Sequence, residues 1–191
     1  MGVAAIEGGA TAIQLRAPAL GDGDLLPMAT ELASRCREAH VLFLVNDRVE
    51  VAIASGAGGA HVGQDDDPIG ARERLGPERV LGVSVLAPEE AEAAEAAGAD
   101  YLGVTIWATP TKPEAIPVDL EGLRAIVRAT RLPVVGIGGI HLGNVHDVLA
   151  AGAAGVAVVS AVGAAPDPVA ATARFAALVH AFDPSDHRGE G

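Results

Sequence analysis

The chain has 191 residues, half of them hydrophobic and one-fifth charged, enough for one full core with ordinary globular composition. Its net charge of −12 argues against nucleic-acid binding, and its single cysteine, Cys36, excludes an internal disulfide framework and any Cys-based zinc site. No apolar run approaches the roughly 20 residues of a membrane span, and Met1-Gly2-Val3 lacks a charged signal-peptide start, so a cytoplasmic protein with no membrane partner is expected.

Residues 1–9 read as the tail of a helix that turns at Gly8-Gly9. Strands are then expected at 11–15, 41–45, 59–62, 80–85, 101–105, 134–137 and 156–159. Helical segments are expected at 22–39, 88–97, 119–130, 142–151 and 166–182, and a further helix starts at Pro68 behind an Asp67 cap. Gly98 and Gly152 stand where helices end. The tail, 183–191, reads as disordered, leaving 1–182 as a single domain.

The strands are continuous apolar runs rather than alternating ones, the mark of a parallel sheet covered on both faces. Polar residues follow nearly every strand: Arg16, Asn46 and Asp47, Gln64 to Asp67, Ser84, Thr109 to Lys112, Gly138 and Gly139, and Ser160. A doubly wound sheet concentrates ligand residues at one switch point, whereas a barrel gathers every such loop on one face. The expectation is therefore a (β/α)8 TIM barrel, lacking its first strand and most of its first helix. Such a gap leaves two unpaired edges unless upstream sequence, another segment or a second subunit of a homo-oligomer fills it.

Lys112 is the only lysine among thirteen Lys and Arg residues, set among Thr109, Thr111 and two prolines, where a compact mobile charge suits a phosphate oxygen. Asp47 and Asp66 follow adjacent strands and together can share a hard cation such as Mg²⁺. Gly136 to Ile140 and the small residues before and after Ser160 offer backbone N–H groups to a second phosphate. His61 sits at a strand end and can line a pocket. His141 and His146 flank a helix start, while His40, His180 and His187 read as surface residues, and no zinc spacing occurs. Trp107 and Cys36 are expected to pack.

In order along residues 8–165 stand Gln14-Leu15-Arg16, Val45-Asn46-Asp47-Arg48, Gly63-Gln64-Asp65-Asp66, Gly82-Val83-Ser84, Thr109-Pro110-Thr111-Lys112-Pro113, Gly136-Ile137-Gly138-Gly139-Ile140 and Val158-Val159-Ser160-Ala161. This ordered set resembles the thiamine phosphate synthase family. The resemblance implies a barrel that couples hydroxymethylpyrimidine diphosphate with thiazole phosphate, giving thiamine phosphate and diphosphate. It implies Mg²⁺ on Asp47 and Asp66. It implies diphosphate binding by Arg16, Asn46, Ser84 and Lys112, of which Lys112, Arg16 and Ser84 would be catalytic. Thr109, Thr111, Gly139 and Ser160 would hold the thiazole phosphate, and Gln14 and His61 would face the pyrimidine.

Three features depart from the family's pattern. Pro18 stands where a lysine usually follows the Gln-Leu-Arg motif, the loop before Thr109 is one residue shorter, and the first strand is absent. A thiazole tautomerase of the same fold is the runner-up, although the histidine expected for it in 106–109 is missing. A non-catalytic phosphate-ligand binder is the alternative of a different class.

Overall fold

The computed structural model describes residues 1–64, 66–109 and 115–182. Its elements in chain order are α1 (Gly2–Glu7), β1 (Ala12–Leu15), α2 (Asp22–Glu38), β2 (Leu42–Asn46), α3 (Val49–Ser55), β3 (Gly59–Val62), α4 (Pro68–Leu75) and β4 (Val80–Ser84). They continue as α5 (Pro88–Ala96), β5 (Tyr101–Thr105), α6 (Asp119–Ala129), β6 (Val134–Ile137), α7 (Val145–Ala150), β7 (Gly155–Ala157), α8 (Ser160–Gly163) and α9 (Pro168–Ala181). The strand pattern matches the expected runs to within a few residues. The helix α3 was not anticipated, because Val-Glu-Val-Ala-Ile is as compatible with a strand as with a helix.

All seven strands are parallel and pair in sequence order, β1 to β7. The middle of the sheet is the most deeply covered: β3 is buried at every position and β2 and β4 at their three central ones. The first and last strands are not: β1 alternates exposed and half-buried, and β7 is half-buried throughout. That contrast follows from pairing, since a terminal strand has one neighbour instead of two.

The sheet is curled. Gln14 of β1 hydrogen-bonds Tyr101 of β5, although four strand spacings, about 19 Å, would separate those strands in a flat sheet. The chain's two ends also meet. Helix α1 packs on α9, and a side chain at buried Gly8 would lie 2.5 Å from Cβ of Thr172. A side chain at Gly163 of α8 would collide with Sδ of Met1 at 2.5 Å. Among the described residues the ladder does not close by pairing β7 with β1. The expectation of a barrel is thus met as a curled, helix-covered, seven-stranded parallel sheet.

The core suits the composition. Leu81 and Leu102 from the sheet and Leu25, Leu123 and Ile126 from the helices are fully buried, while Ala29, Ala52, Ala71 and Ala91 let helices approach the strands closely. Cys36 is buried there, as expected, and burial raises its thiol pKa, which keeps it inert. No helix among the described residues is long and apolar enough to cross a membrane.

The end of the sheet where strands begin is tied by Arg72 of α4. Its guanidinium donates to the carbonyls of Gly98 at 3.0 Å, Gly76 at 2.7 Å and Arg79 at 2.8 Å, and to the carboxylate of Asp100. Asp100 in turn accepts the Leu81 N–H at 2.7 Å. One side chain therefore satisfies backbone groups of two αβ turns at once, α4–β4 and α5–β5.

Candidate active site

Because the strands are parallel, the residues following them converge at one end. Arg16 follows β1, Asn46 ends β2, His61 lies in β3 beside Asn46 in register, Ser84 ends β4, Thr109 follows β5, Gly138 and Gly139 follow β6, and Ser160 begins α8 after β7. Lys112 and Thr111 lie outside the described residues, as do Asp65, His187 and the tail 183–191.

The loop after β2 is bent sharply. Asp47 has φ +62°, in the left-handed region that Asp tolerates better than most residues. Its N–H donates to the His61 carbonyl at 2.8 Å, which ties the ends of β2 and β3 together. The loop after β3 folds around its own acid, as Asp66 Oδ2 accepts the Gly63 N–H at 2.7 Å. Asp67 caps α4 as expected, accepting the Gly70 N–H at 3.0 Å. Asp47 and Asp66 are both exposed and come from loops of neighbouring strands. Among the described residues no cluster of three or more His, Cys, Asp or Glu could hold a metal. A pair of carboxylates is nonetheless the donor set that suits Mg²⁺ completed by ligand phosphate and water, rather than a metal caged by protein alone.

Beneath these loops lies a polar chain inside the curl. His61 is 8% exposed. Its Nδ1 lies 2.8 Å from the Tyr101 hydroxyl and its Nε2 lies 2.9 Å from Ser84 Oγ. Tyr101 also bonds Gln14. Burial raises the phenol's pKa well beyond its ordinary value, and the bond from Gln14 opposes that rise only partly. The rings fit because the strands are cut away beside them. Gly82, the register partner of Tyr101, has no room for a side chain against that ring, and a side chain at Gly103 would lie 2.8 Å from His61 Cε1.

Gln14, His61 and Ser84, chosen separately from sequence, are thus joined into one network. The residue that joins them, Tyr101, was not anticipated. Its signals were weak: it is the chain's only tyrosine, and it opens a strand whose neighbour carries a glycine.

On the far side, Gly138 and Gly139 have φ +86° and +65°. A side chain at Gly138 would sit 2.6 Å from the Trp107 carbonyl and 3.8 Å from Thr109 Cγ2, and one at Gly139 would sit 2.8 Å from Trp107 Cβ. Both positions therefore need glycine for conformation and for space. Asn144 staples the loop, donating to the Gly139 carbonyl at 3.0 Å and accepting the His141 N–H at 2.8 Å. His141 caps locally, its Nδ1 accepting the Gly143 N–H at 3.1 Å, and His146 packs against Phe182. Thr109, Gly138 and Gly139 are brought together by this packing, and Ser160 follows the next strand in register, since Ile137 pairs with Ala157.

The family described as thiamine monophosphate synthase matches residues 3–162. The chain is 50% identical over 179 residues to the thiamine-phosphate synthase of Roseiflexus sp. (strain RS-1), an alignment covering 92% of this chain and 76% of that one. The chain belongs to the thiamine monophosphate synthase family. The thiamine-phosphate synthase of Moorella thermoacetica is 49% identical over 178 residues, covering 92% of this chain and 85% of its own. Among solved structures, the thiamine phosphate pyrophosphorylase of Pyrococcus furiosus superposes with a TM-score of 0.87 at 42% identity, over 94% of this chain and 87% of that one. A 3-hexulose-6-phosphate synthase superposes at 0.71 with 20% identity, over 92% of this chain and 93% of its own, a likeness of fold alone. The family seen in the ordered motifs of the sequence is the family found, and the tautomerase and binder alternatives are not favoured.

Proposed function

We propose that this chain, a transferase of thiamine biosynthesis, runs its reaction at the C-terminal end of its sheet. There it couples hydroxymethylpyrimidine diphosphate with thiazole phosphate, releasing diphosphate. The observation that carries the assignment of the site is the joining of Gln14, His61 and Ser84 through Tyr101 directly beneath the loops of Asp47 and Asp66.

The residues divide by charge. Arg16, Asn46, Ser84 and Lys112 take the diphosphate, and the two cations neutralise charge that grows as it leaves. Asp47 and Asp66 would hold Mg²⁺, which when bound supplies a Lewis-acid charge for the diphosphate oxygens. Gln14 and His61 orient the pyrimidine. Thr109, Thr111, Gly139 and Ser160 hold the thiazole phosphate, so the thiazole nitrogen is aimed at the carbon that loses diphosphate. The electron-rich pyrimidine carries the developing positive charge, and no protein nucleophile or general base is required. Pro18 leaves this diphosphate site one cation poorer than the family's usual pattern.

The same reading treats 1–182 as one cytoplasmic domain whose seven strands correspond to seven of the eight in a (β/α)8 barrel, open to homo-oligomer contacts along its terminal strands. Steady-state turnover with both substrates and Mg²⁺, read as diphosphate release, tests the function. Ligand binding without turnover would favour the non-catalytic barrel, and isomerisation of the thiazole phosphate alone would favour the tautomerase.

A further inference from the structure

Ser84 and His61 stand 2.9 Å apart, with a third group on the far nitrogen of the imidazole. The outline is that of a nucleophile, a base and an orienter. Its third member is wrong for that role. A carboxylate stabilises the imidazolium that forms when histidine takes a proton, whereas Tyr101 is a neutral phenol that burial keeps protonated.

The direction of the chain can be assigned from its hydrogen bonds. His61 stands between a phenol, the more acidic hydroxyl and so the stronger donor, and a serine hydroxyl, the stronger acceptor. The phenol's one proton is therefore given to His61 Nδ1. That nitrogen therefore accepts. The imidazole proton is then on Nε2, whose neighbour is Ser84 Oγ. The serine oxygen accepts from histidine and keeps its own proton for another partner.

We infer that Tyr101 is a positioning residue: it holds His61 as the Nε2–H tautomer, and so turns the Ser84 hydroxyl proton outward as a hydrogen-bond donor to a phosphate oxygen of the ligand. The inference rests on the assignment of Ser84 to the diphosphate. Gly82 and Gly103 belong to the same device, because they leave the space in which the two rings meet, tilted by 39° with centroids 5.4 Å apart. The relay runs Gln14 to Tyr101 to His61 to Ser84, from β1 through β5 and β3 to β4, so the donor at the ligand is set by a strand on the far side of the sheet.

The test is nitrogen NMR on the full chain carrying ¹⁵N-histidine, with the His61 signals assigned by their loss in His61→Gln. Protonated Nε2 and unprotonated Nδ1 are expected. Tyr101→Phe should move His61 towards the Nδ1–H tautomer. It should also weaken binding of inorganic diphosphate with Mg²⁺, and lower kcat/KM, each by about tenfold, the scale of one hydrogen bond to a charged group. In a Ser84→Ala background Tyr101→Phe should weaken diphosphate no further, a non-additivity that a merely structural tyrosine would not produce. Protonated Nδ1 in the unaltered chain overturns the inference, and so does additivity of the two changes. If the tautomer is as expected but Ser84→Ala binds diphosphate and turns over normally, the assignment of Ser84 to the diphosphate fails instead, and the donor role falls with it.

Discussion

At the end of the sheet where strands begin, Arg72 spends its donors on the carbonyls of Gly76, Arg79 and Gly98 and on Asp100, and Asp100 returns a bond to Leu81. At the end where strands finish, Asp47 and Asp66 stand exposed on separate loops, and Tyr101, His61 and Ser84 pass hydrogen bonds towards them from inside the curl. Both ends are rich in charge. The first closes its polar groups on the chain's own backbone, so its charges serve folding. The second leaves carboxylates exposed and hydroxyls near them, and under the proposed function its charges would serve chemistry.

The largest effect should follow from disturbing the second end. Asp66→Asn should lower turnover on the order of a hundredfold or more, since several kcal/mol of leaving-group stabilisation depend on the metal pair. Its melting temperature should stay near that of the unaltered chain. Normal turnover in this variant, or full activity in excess chelator, would remove the metal role.

The converse change is Arg72→Met. It leaves three carbonyls and Asp100 without their shared donor, a loss of about 2–4 kcal/mol at roughly 1 kcal/mol per bond. Urea unfolding should show it, while kcat/KM of the folded protein should hold. A loss of kcat/KM larger than the loss of stability would mean the two ends are coupled.

Gly82→Ala tests the boundary between them. The added methyl meets the Tyr101 ring, and overpacking of this kind costs about 1–3 kcal/mol. Unlike Arg72→Met, it should disturb stability and catalysis together, because the displaced ring holds His61. Lost stability with intact kinetics would show that the ring's position is irrelevant to the reaction.

The smallest effect is expected at Glu95, near the strand-beginning end. The Thr130 hydroxyl first, then the Arg131 N–H, hold its carboxyl below the ordinary value of 4.5, against a weak opposing effect of burial. A depressed folded-state pKa contributes stability above the unfolded value and loses it as pH falls through the folded one. Glu95→Gln should therefore be slightly less stable than the unaltered chain at pH 7, with the difference vanishing in acid below 4.5. Catalysis should not change at any pH where both proteins are folded.

Much of this molecule could be read locally. The expected runs 59–62, 101–105 and 134–137 coincide with β3, β5 and β6, because short, largely apolar runs followed by polar or glycine-rich loops mark strands without further context. Asp67 before Pro68 declared a helix start by itself. Helix α3 did not, since seven residues rich in Val and Ile satisfy either period and only packing between α2 and α4 chose the helix.

The site divides along the same line. The sequence by itself determined which strand ends carry polar groups and in what order, and so the family, because that information lies in short motifs and their spacing. Only the tertiary structure decided that Gln14 reaches Tyr101, that Gly82 makes way for its ring, and that Asp47 adopts a left-handed backbone to tie β2 to β3. Those contacts join residues tens of positions apart, and the curl of the sheet that brings them together is a sum of small twists that no local stretch of sequence records.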